Sequence, residues 1–211
     1  MKNKRYISYS EIYTFYEKGQ ATYFQEYVLG VREPTTMPLK LGVIVHEMIA
    51  DKKYDWKSEL IKQGFTSDYE RIVDKINSSV PRFDKHELKI FAETDMGFEL
   101  YAGIDAVEEL KGEAIRGIEY KTGKSLWTKE RADESEQITH YVYTLYKFSK
   151  NLLPFRLISM STSNGKIKEF DTFRTKEQLD NWEKKLIQFR DELIKLDWWT
   201  KKAHFADRIT L

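Results

Sequence analysis

Two acids and one lysine on neighbouring predicted strands have the residue types and spacing for phosphate chemistry. Asp105 ends a Gly-Ile-Asp segment, and Glu119 and Lys121 lie two residues apart in a later segment. Residues two apart on a β-strand point to the same face, so Glu119 and Lys121 share a face from which Tyr120 points away. The turn signal Lys-Gly-Glu at 111–113 separates the two strands, and a hairpin there would bring Asp105 near Glu119.

This set suits metal-assisted hydrolysis of a phosphodiester. The two carboxylates would hold a hard cation, which polarises a phosphoryl oxygen and acidifies a water molecule. The lysine would stabilise the developing negative charge or orient that water. A plainer interpretation is also open, in which Glu119 and Lys121 form a surface ion pair of little energetic value and Asp105 is an acid on an edge strand.

Four ordered motifs that include these residues resemble the PD-(D/E)XK nuclease superfamily, and in particular its RecB-type branch. The motifs are Gly-Val-Ile-Val-His-Glu at 42–47, Gly-Ile-Asp at 103–105, Glu-Tyr-Lys-Thr-Gly at 119–123 and Gln-Ile-Thr-His-Tyr at 137–141. The segment Ser-Tyr-Ser-Glu-Ile at 8–12 is also similar to the start of the family's N-terminal helix. One Glu-x-Lys segment alone would be a weak signal, whereas four motifs in order over most of the chain are specific.

The resemblance implies a metal site and a catalytic lysine. It implies that His46, Asp105 and Glu119 bind Mg²⁺ or Mn²⁺, with the backbone carbonyl of Tyr120 as a further ligand, and that Lys121 is catalytic. By chemistry alone His46 is the least secure ligand, because a single histidine on a helix is more often a packed or capping residue.

The resemblance places four further residues near that site. Gln137 and Tyr141 lie four apart on one helix face, which in relatives looks onto the active site and the nucleic acid. Glu47 and Glu93 are expected to hydrogen-bond the metal ligands without contacting the metal themselves. The alternative for Tyr141 is a place in the hydrophobic core.

The predicted elements indicate an α/β protein with a restriction-endonuclease-like mixed β-sheet flanked by helices. The 211 residues, 41% of them hydrophobic, fit a single nuclease domain. We expect three parts, namely a helical part over residues 1–80, a nuclease core over 81–175 and a C-terminal helix over 176–199.

The hydrophobic periodicity predicts the elements within these parts. A first helix starts at Ser8 or Ser10, and Pro34 and Pro38 bracket a loop before the second helix. Near the C-terminus, the adjacent Trp198 and Trp199 would complete a core or stack on bases. Further helices are predicted at 39–53, 56–63, 68–77 and 130–150, and strands at 88–93, 98–108, 113–121, 154–162 and 166–173.

Absent residues and segments exclude several classes of protein. The chain has no cysteine, which excludes disulfides, cysteine-ligated zinc and the iron–sulfur cluster that some RecB-type relatives hold with four cysteines. It has no Gly-x-x-x-x-Gly-Lys-Ser/Thr loop, which excludes a P-loop ATPase or helicase. It also has no Gly-x-Ser-x-Gly elbow of the α/β-hydrolase type. The basic N-terminus is followed by no apolar segment, so we expect no signal peptide, and no apolar run has the length of a membrane span.

Charge is unevenly distributed although the net charge is only +1. Residues 61–144 carry 12 basic and 17 acidic side chains, whereas residues 145–211 carry 14 basic and 9 acidic ones. The basic C-terminal third would follow a nucleic-acid backbone, or its lysine-rich helices would simply keep the surface soluble.

The resemblance therefore implies a metal-dependent DNA exonuclease of recombination, repair or phage DNA processing, in the cytoplasm of a bacterial or phage-infected cell. DNA is the implied partner, and a helicase, a recombination protein or further copies of the chain are compatible with it. Two alternatives are a structure-selective endonuclease and a nucleic-acid-binding subunit without turnover. The intact Asp105, Glu119 and Lys121 argue against the second alternative.

Overall fold

A mixed six-stranded sheet forms the centre of the protein, for which the computed structural model describes residues 6–196. The strands follow the order β1-β3-β4-β5-β6, with β2 paired to the other edge of β3. The β1–β3 and β4–β5 pairs are parallel and the other pairs are antiparallel. The strands are β1 Tyr6–Ser8, β2 Lys85–Glu93, β3 Glu99–Leu110, β4 Glu113–Gly123, β5 Phe155–Ser161 and β6 Ile167–Thr172. The predicted α/β class is confirmed.

Helices cover both faces of this sheet. They are α1 Tyr9–Tyr13, α2 Gln20–Tyr23, α3 Met37–Ala50, α4 Trp56–Lys62, α5 Ser67–Ser79, α6 Lys129–Asp133, α7 Glu136–Ser149 and α8 Lys176–Leu196. Two π-helical segments, Thr14–Lys18 and Phe24–Val28, continue α1 and α2. Residues 197–199 of the predicted last helix, with Trp198 and Trp199, lie outside the described residues.

Two apolar clusters pack on opposite faces of the sheet, and β5 contributes to both. Phe155 and Leu157 belong to the cluster with α1, α7 and α8, whereas Ile158 and Met160 belong to the cluster with α3, α4 and α5. This division follows the two-residue period of a strand. β5 is therefore buried on both faces, and all of its residues except the half-buried Arg156 are buried.

The predicted helix over 130–150 is wrong as a single element, because it is two helices. Ser135 has an extended backbone, and its hydroxyl accepts a hydrogen bond from the Ile138 amide, so it caps the start of α7 and ends α6. Pro38 was expected in a loop but lies in the first turn of α3, where its missing N–H has no helical partner to lose. The three-residue β1 was not predicted, since it is too short to show a period.

A buried arginine holds the junction between α6 and α7. Arg174 is 6% exposed, and the N–H groups of its guanidinium donate to five oxygens. Two of these are the carbonyl oxygens of Ala132 and Ser135, at 3.1 and 2.9 Å, where one helix ends and the next begins. Arg174 therefore fixes where α7 starts.

A buried histidine ties α7 to the sheet. His140 is fully buried, and its Nε2 donates to the Tyr101 carbonyl of β3 at 2.9 Å. Its ring lies among Tyr9 of α1, Tyr141 of α7 and Trp182 of α8, and its Nδ1 has no hydrogen-bond partner among the described residues. Burial lowers the pKa of His140 from 6.5 to about 4, against a smaller opposing effect of the Tyr101 hydrogen bond.

We expect His140 to make folding stability fall as the pH falls. The pKa of His140 is lower in the folded than in the unfolded protein. The contribution of neutral His140 to the free energy of unfolding is therefore complete above pH 6.5 and is lost as the pH falls towards 4. The full loss is about 3 kcal/mol, at 1.36 kcal/mol per pKa unit. Urea unfolding at several pH values should show a His140→Gln variant that is less stable than wild type at pH 7.5, with a gap that narrows towards pH 4.5. Parallel profiles for the two proteins would contradict this.

Candidate active site

The site begins at a gap in the pairing of one edge of β3. On that edge β1 pairs with residues 99–101 and β4 pairs with residues 106–110, so 102–105 are unpaired there. Asp105 lies at the end of this gap, and its Oδ2 accepts a hydrogen bond from the Tyr120 amide of β4 at 2.8 Å. The side chain supplies the acceptor that a neighbouring backbone would otherwise supply, so β3 and β4 can separate without leaving that amide unsatisfied.

Glu119 and Lys121 do share one face of β4, as the spacing predicted. Glu119 is only 2% exposed, and its Oε1 accepts a hydrogen bond from Lys121 Nζ at 2.6 Å. The other oxygen, Oε2, is buried and has no hydrogen-bond partner among the described residues. A surface ion pair is therefore excluded, because the carboxylate is buried.

The surroundings of Glu119 disfavour the ionised form of its carboxyl group. Burial raises the pKa of Glu119 to about 7, and the nearby charge of Asp105 adds to this, while Lys121 opposes it. A buried carboxylate with an unsatisfied oxygen costs free energy unless a cation binds there. Such arrangements are typical of functional sites.

A chain of hydrogen bonds connects this pair to α7. Lys121 Nζ donates to Gln137 Oε1 at 2.6 Å, and Gln137 Nε2 donates to the Tyr141 hydroxyl at 2.7 Å. Tyr141 is 8% exposed, and its ring packs with Phe155 in the core. Burial, followed by the charge of Glu119, raises the pKa of the Tyr141 phenol. Tyr141 is thus a core residue whose hydroxyl orients Gln137.

His46 approaches the acids from α3, on the other side of β4. Its Nδ1 lies 3.6 Å from Asp105 Oδ1, and its ring contacts the edge of the Tyr120 ring with centroids 6.1 Å apart. Burial lowers the pKa of His46, but the contacts with Asp105 outweigh it, and the net shift is upward. The structure therefore brings His46, Asp105 and Glu119 to the same end of β4.

Close packing of α3 on β4 determines where His46 lies. A Cβ atom added at Gly42 would lie 3.0 Å from Thr122 Oγ1, so the glycine lets the helix backbone approach the strand. His46 is one turn further along α3. The first and third motifs of the sequence therefore meet at Gly42 and Thr122.

The donor set fits a divalent cation in residue type. One imidazole and two carboxylates suit Mg²⁺ or Mn²⁺, and no group in the described part of the chain uses the lone pairs of Glu119 Oε2. However, no group of three or more His, Cys, Asp or Glu side chains within residues 6–196 is already arranged as a metal site. One oxygen of Glu119 is bound by Lys121 instead.

The remaining predicted residues lie further from these contacts. Glu47 is half-buried on α3, and its charge, after burial and Glu59, raises the pKa of Tyr54. Glu93 pairs with Glu99, the first residue of β3, whereas Asp105 lies in the middle of that strand. At about 3.4 Å per residue this separation is roughly 20 Å.

Tyr101 is a residue of this region that the sequence reasoning missed. Its hydroxyl lies 2.9 Å from the position of a Cβ at Gly103, so the side chain extends along β3 towards Asp105. The two-residue spacing of Tyr101, Gly103 and Asp105 was the available signal, because alternate strand residues share a face.

Comparison with known proteins identifies the family. A family model described as the PD-(D/E)XK nuclease superfamily matches residues 6–200. The chain belongs to the PD-(D/E)XK nuclease superfamily. Family membership supports a phosphodiester hydrolase that acts on nucleic acid, and nucleases of this superfamily generally use divalent metals. No curated protein matches the sequence significantly.

A solved structure shows the same fold. A crystal structure from Eubacterium rectale, described as "Putative exonuclease", matches with a TM-score of 0.67 at 15% sequence identity, over 92% of this chain and 81% of that chain. A structure described as SSO0001 matches over 82% of this chain and 88% of that chain, at 15% identity, with a TM-score of only 0.32.

Among the described residues, no helix of this nuclease is long and apolar enough to span a membrane.

A bulky side chain at Gly42 should push α3 away from β4. We expect Gly42→Val to lower the free energy of unfolding by about 1–3 kcal/mol, because overpacking forces a backbone shift. Thr122→Ala in the same chain should restore part of the loss, because it removes the atom that the new side chain meets. Urea unfolding of the two single variants and the double variant measures this coupling, and strictly additive losses would show that Gly42 and Thr122 are not in contact.

Proposed function

We propose that this protein is a metal-dependent DNA exonuclease whose site is formed by His46, Asp105, Glu119 and Lys121. The observation that carries the proposal is the buried Glu119, which shares a strand face with Lys121 and has one oxygen without a hydrogen-bond partner in residues 6–196. Such an arrangement is costly for folding and has an evident use in binding a cation beside a phosphate.

The oxygens that remain unused suggest how the ligands divide their work. Asp105 uses Oδ2 for the Tyr120 amide, which leaves Oδ1 facing His46. With Glu119 Oε2 and the backbone carbonyl of Tyr120, these groups would hold Mg²⁺ or Mn²⁺. When bound, such a cation polarises the phosphoryl oxygen and makes water a better nucleophile near neutral pH. Glu47 is proposed as a supporting hydrogen-bond partner of the ligands, and Glu93 is too distant for that role.

Lys121 is suited to stabilise charge on the scissile phosphate. An ammonium group has three donors, and Lys121 uses two of them for Glu119 and Gln137. No other acceptor in the described part of the chain takes the third donor, so it can contact an oxygen of the phosphate. Gln137 and Tyr141 keep the ammonium in place, so their proposed role is to position Lys121 while Gln137 also faces the substrate strand.

One comparison supports the exonuclease assignment. The Eubacterium rectale protein, which has the same fold, is described as a "Putative exonuclease". DNA recombination, repair or phage DNA processing in a bacterial or phage-infected cytoplasm is the proposed setting. A helicase, a recombination protein or further copies of this chain are candidate partners.

Digestion of defined substrates tests this function. End-labelled linear DNA and closed circular DNA, each single- and double-stranded, are incubated with Mg²⁺, Mn²⁺ or EDTA. We expect metal-dependent loss of linear DNA only, and a reduction of about 100- to 1,000-fold for Lys121→Ala, as for removal of one charge-stabilising donor. Lys184→Ala, which removes an exposed lysine of α8, is the matched control and should cleave normally.

The other outcomes are equally informative. Cleavage of circular single-stranded DNA would favour a structure-selective endonuclease, since a circle has no end. Binding without cleavage of any substrate would favour a non-catalytic nucleic-acid-binding subunit.

Two substitutions of Asp105 should separate its structural role from its chemical role. Asp105→Asn keeps an oxygen that can accept from the Tyr120 amide, so we expect near-normal stability but loss of cleavage. Asp105→Ala should lose cleavage and also about 1–3 kcal/mol of stability, because the amide is left unsatisfied. Unfolding curves and cleavage assays on both variants measure this. Full cleavage by Asp105→Asn would remove Asp105 from the proposed ligands.

A further inference from the structure

A cavity of about 580 Å³ opens where β4 leaves the sheet, directly beyond Lys121. Three successive residues after Lys121, from Thr122 to Lys124, form one wall. The other walls are the first turn of α3, the start of α5 with the preceding Phe65, and the turn between β5 and β6. The cavity is therefore continuous in sequence with the proposed catalytic strand.

Hydrogen bonds hold these walls in fixed positions. The Lys124 carbonyl accepts from the hydroxyls of Ser161 and Ser163, at 3.2 and 3.0 Å. On the other side, Lys75 of α5 donates to the Asn164 carbonyl in the turn between β5 and β6, at 3.0 Å. The turn is thus tied both to the end of β4 and to α5, so the cavity exists before any ligand binds.

The lining combines an aromatic surface with a cation and hydroxyl groups. Phe65 and Tyr69 meet edge to face with centroids 5.1 Å apart, and Tyr69 is 36% exposed. Across the cavity, Lys124 is exposed, and no described carboxylate forms an ion pair with its ammonium. The carboxylate of the lining, Asp68, is paired with Arg71. A nucleotide offers the complementary groups, namely a flat base, polar base edges and a phosphate.

We propose that this cavity binds one unpaired base of the substrate strand, stacked on Tyr69, while Lys124 contacts an adjacent phosphate. The proposal rests on the proposed nuclease function and adds a substrate class to it. Lys124 lies three residues beyond Lys121 and just past the end of β4, so the two backbone positions are at most about 10 Å apart. One DNA strand can therefore reach both residues. A base that enters a cavity must leave the duplex stack, so the inference is that the substrate is single-stranded, or unpaired at its end.

Equilibrium binding tests the cavity without any cleavage. The full chain carrying Lys121→Ala is titrated with a fluorescent single-stranded oligodeoxynucleotide in Mg²⁺, and its anisotropy gives Kd. Adding Tyr69→Ala should raise Kd about tenfold, the effect of one stacking contact. Tyr69→Phe, which keeps the ring, should leave Kd within twofold. Phe148→Ala, which removes an exposed aromatic ring of α7, is the control and should also leave it unchanged.

A second measurement locates the base along the strand. Oligonucleotides with a single abasic residue at successive positions are cleaved by the wild-type protein, and KM should rise about tenfold for one position only. In Tyr69→Ala that difference should disappear, because the base has already lost its partner. Lys124→Gln should raise KM several-fold without affecting thermal unfolding, since its side chain is exposed.

The results distinguish this inference from the proposed function. Cleavage by the wild type, with unchanged Kd and KM for both Tyr69→Ala and Lys124→Gln, would overturn the base site and leave the nuclease assignment standing. An equal loss of binding in Phe148→Ala would also overturn it, because the effect would not be specific to the cavity. Loss of binding in Tyr69→Ala by a protein that cleaves no substrate would support the base site and reject the nuclease function.

Discussion

The hydrogen bond from the Tyr120 amide to the Asp105 carboxylate is the contact on which the site depends. It lies at the unpaired stretch 102–105 on one edge of β3. This stretch separates the residues that pair with β1 from those that pair with β4. Without that acceptor, a buried amide would be unsatisfied or the two strands would have to close together. One carboxylate therefore keeps the strands apart and presents its second oxygen to the gap.

Two carboxylates of like charge lie close together beside this opening. Glu119 is buried next to Asp105, and among the described residues Lys121 and His46 compensate its charge. Such a cluster reduces stability, and proteins keep strained or poorly compensated groups mainly where they act on a ligand. Hydrogen bonds hold the residues around the site in place. Gln137 and Tyr141 position Lys121. Arg174 binds the start of α7, and His140 ties α7 to β3. A site of this kind depends on side chains whose positions are already set before substrate arrives.

The proposed function depends on family membership and on contacts that are particular to this chain. Membership of the PD-(D/E)XK nuclease superfamily gives the class of reaction, and a fold or family alone does not give polarity, strand preference or biological role. The contacts of Lys121 with Glu119 and Gln137, and the aromatic cavity beyond Lys121, are particular to this chain and support the finer proposals. The proposed single-strand preference follows from Tyr69 and Lys124, which belong to none of the four motifs.

Sequence alone determined the parts of this protein that follow from short-range rules. The two-residue strand period placed Glu119 and Lys121 on one face, and the four-residue spacing of Gln137 and Tyr141 placed them on one helical face. The sequence pattern also predicted the two strands that form β5 and β6. Only the tertiary structure decided what requires several segments to meet. It revealed the short β1, the division of the predicted helix at Ser135, the approach of Gly42 to Thr122 and the depth at which Glu119 is buried. Each of these depends on contacts between residues far apart in the chain, and periodicity within one segment carries no information about such contacts.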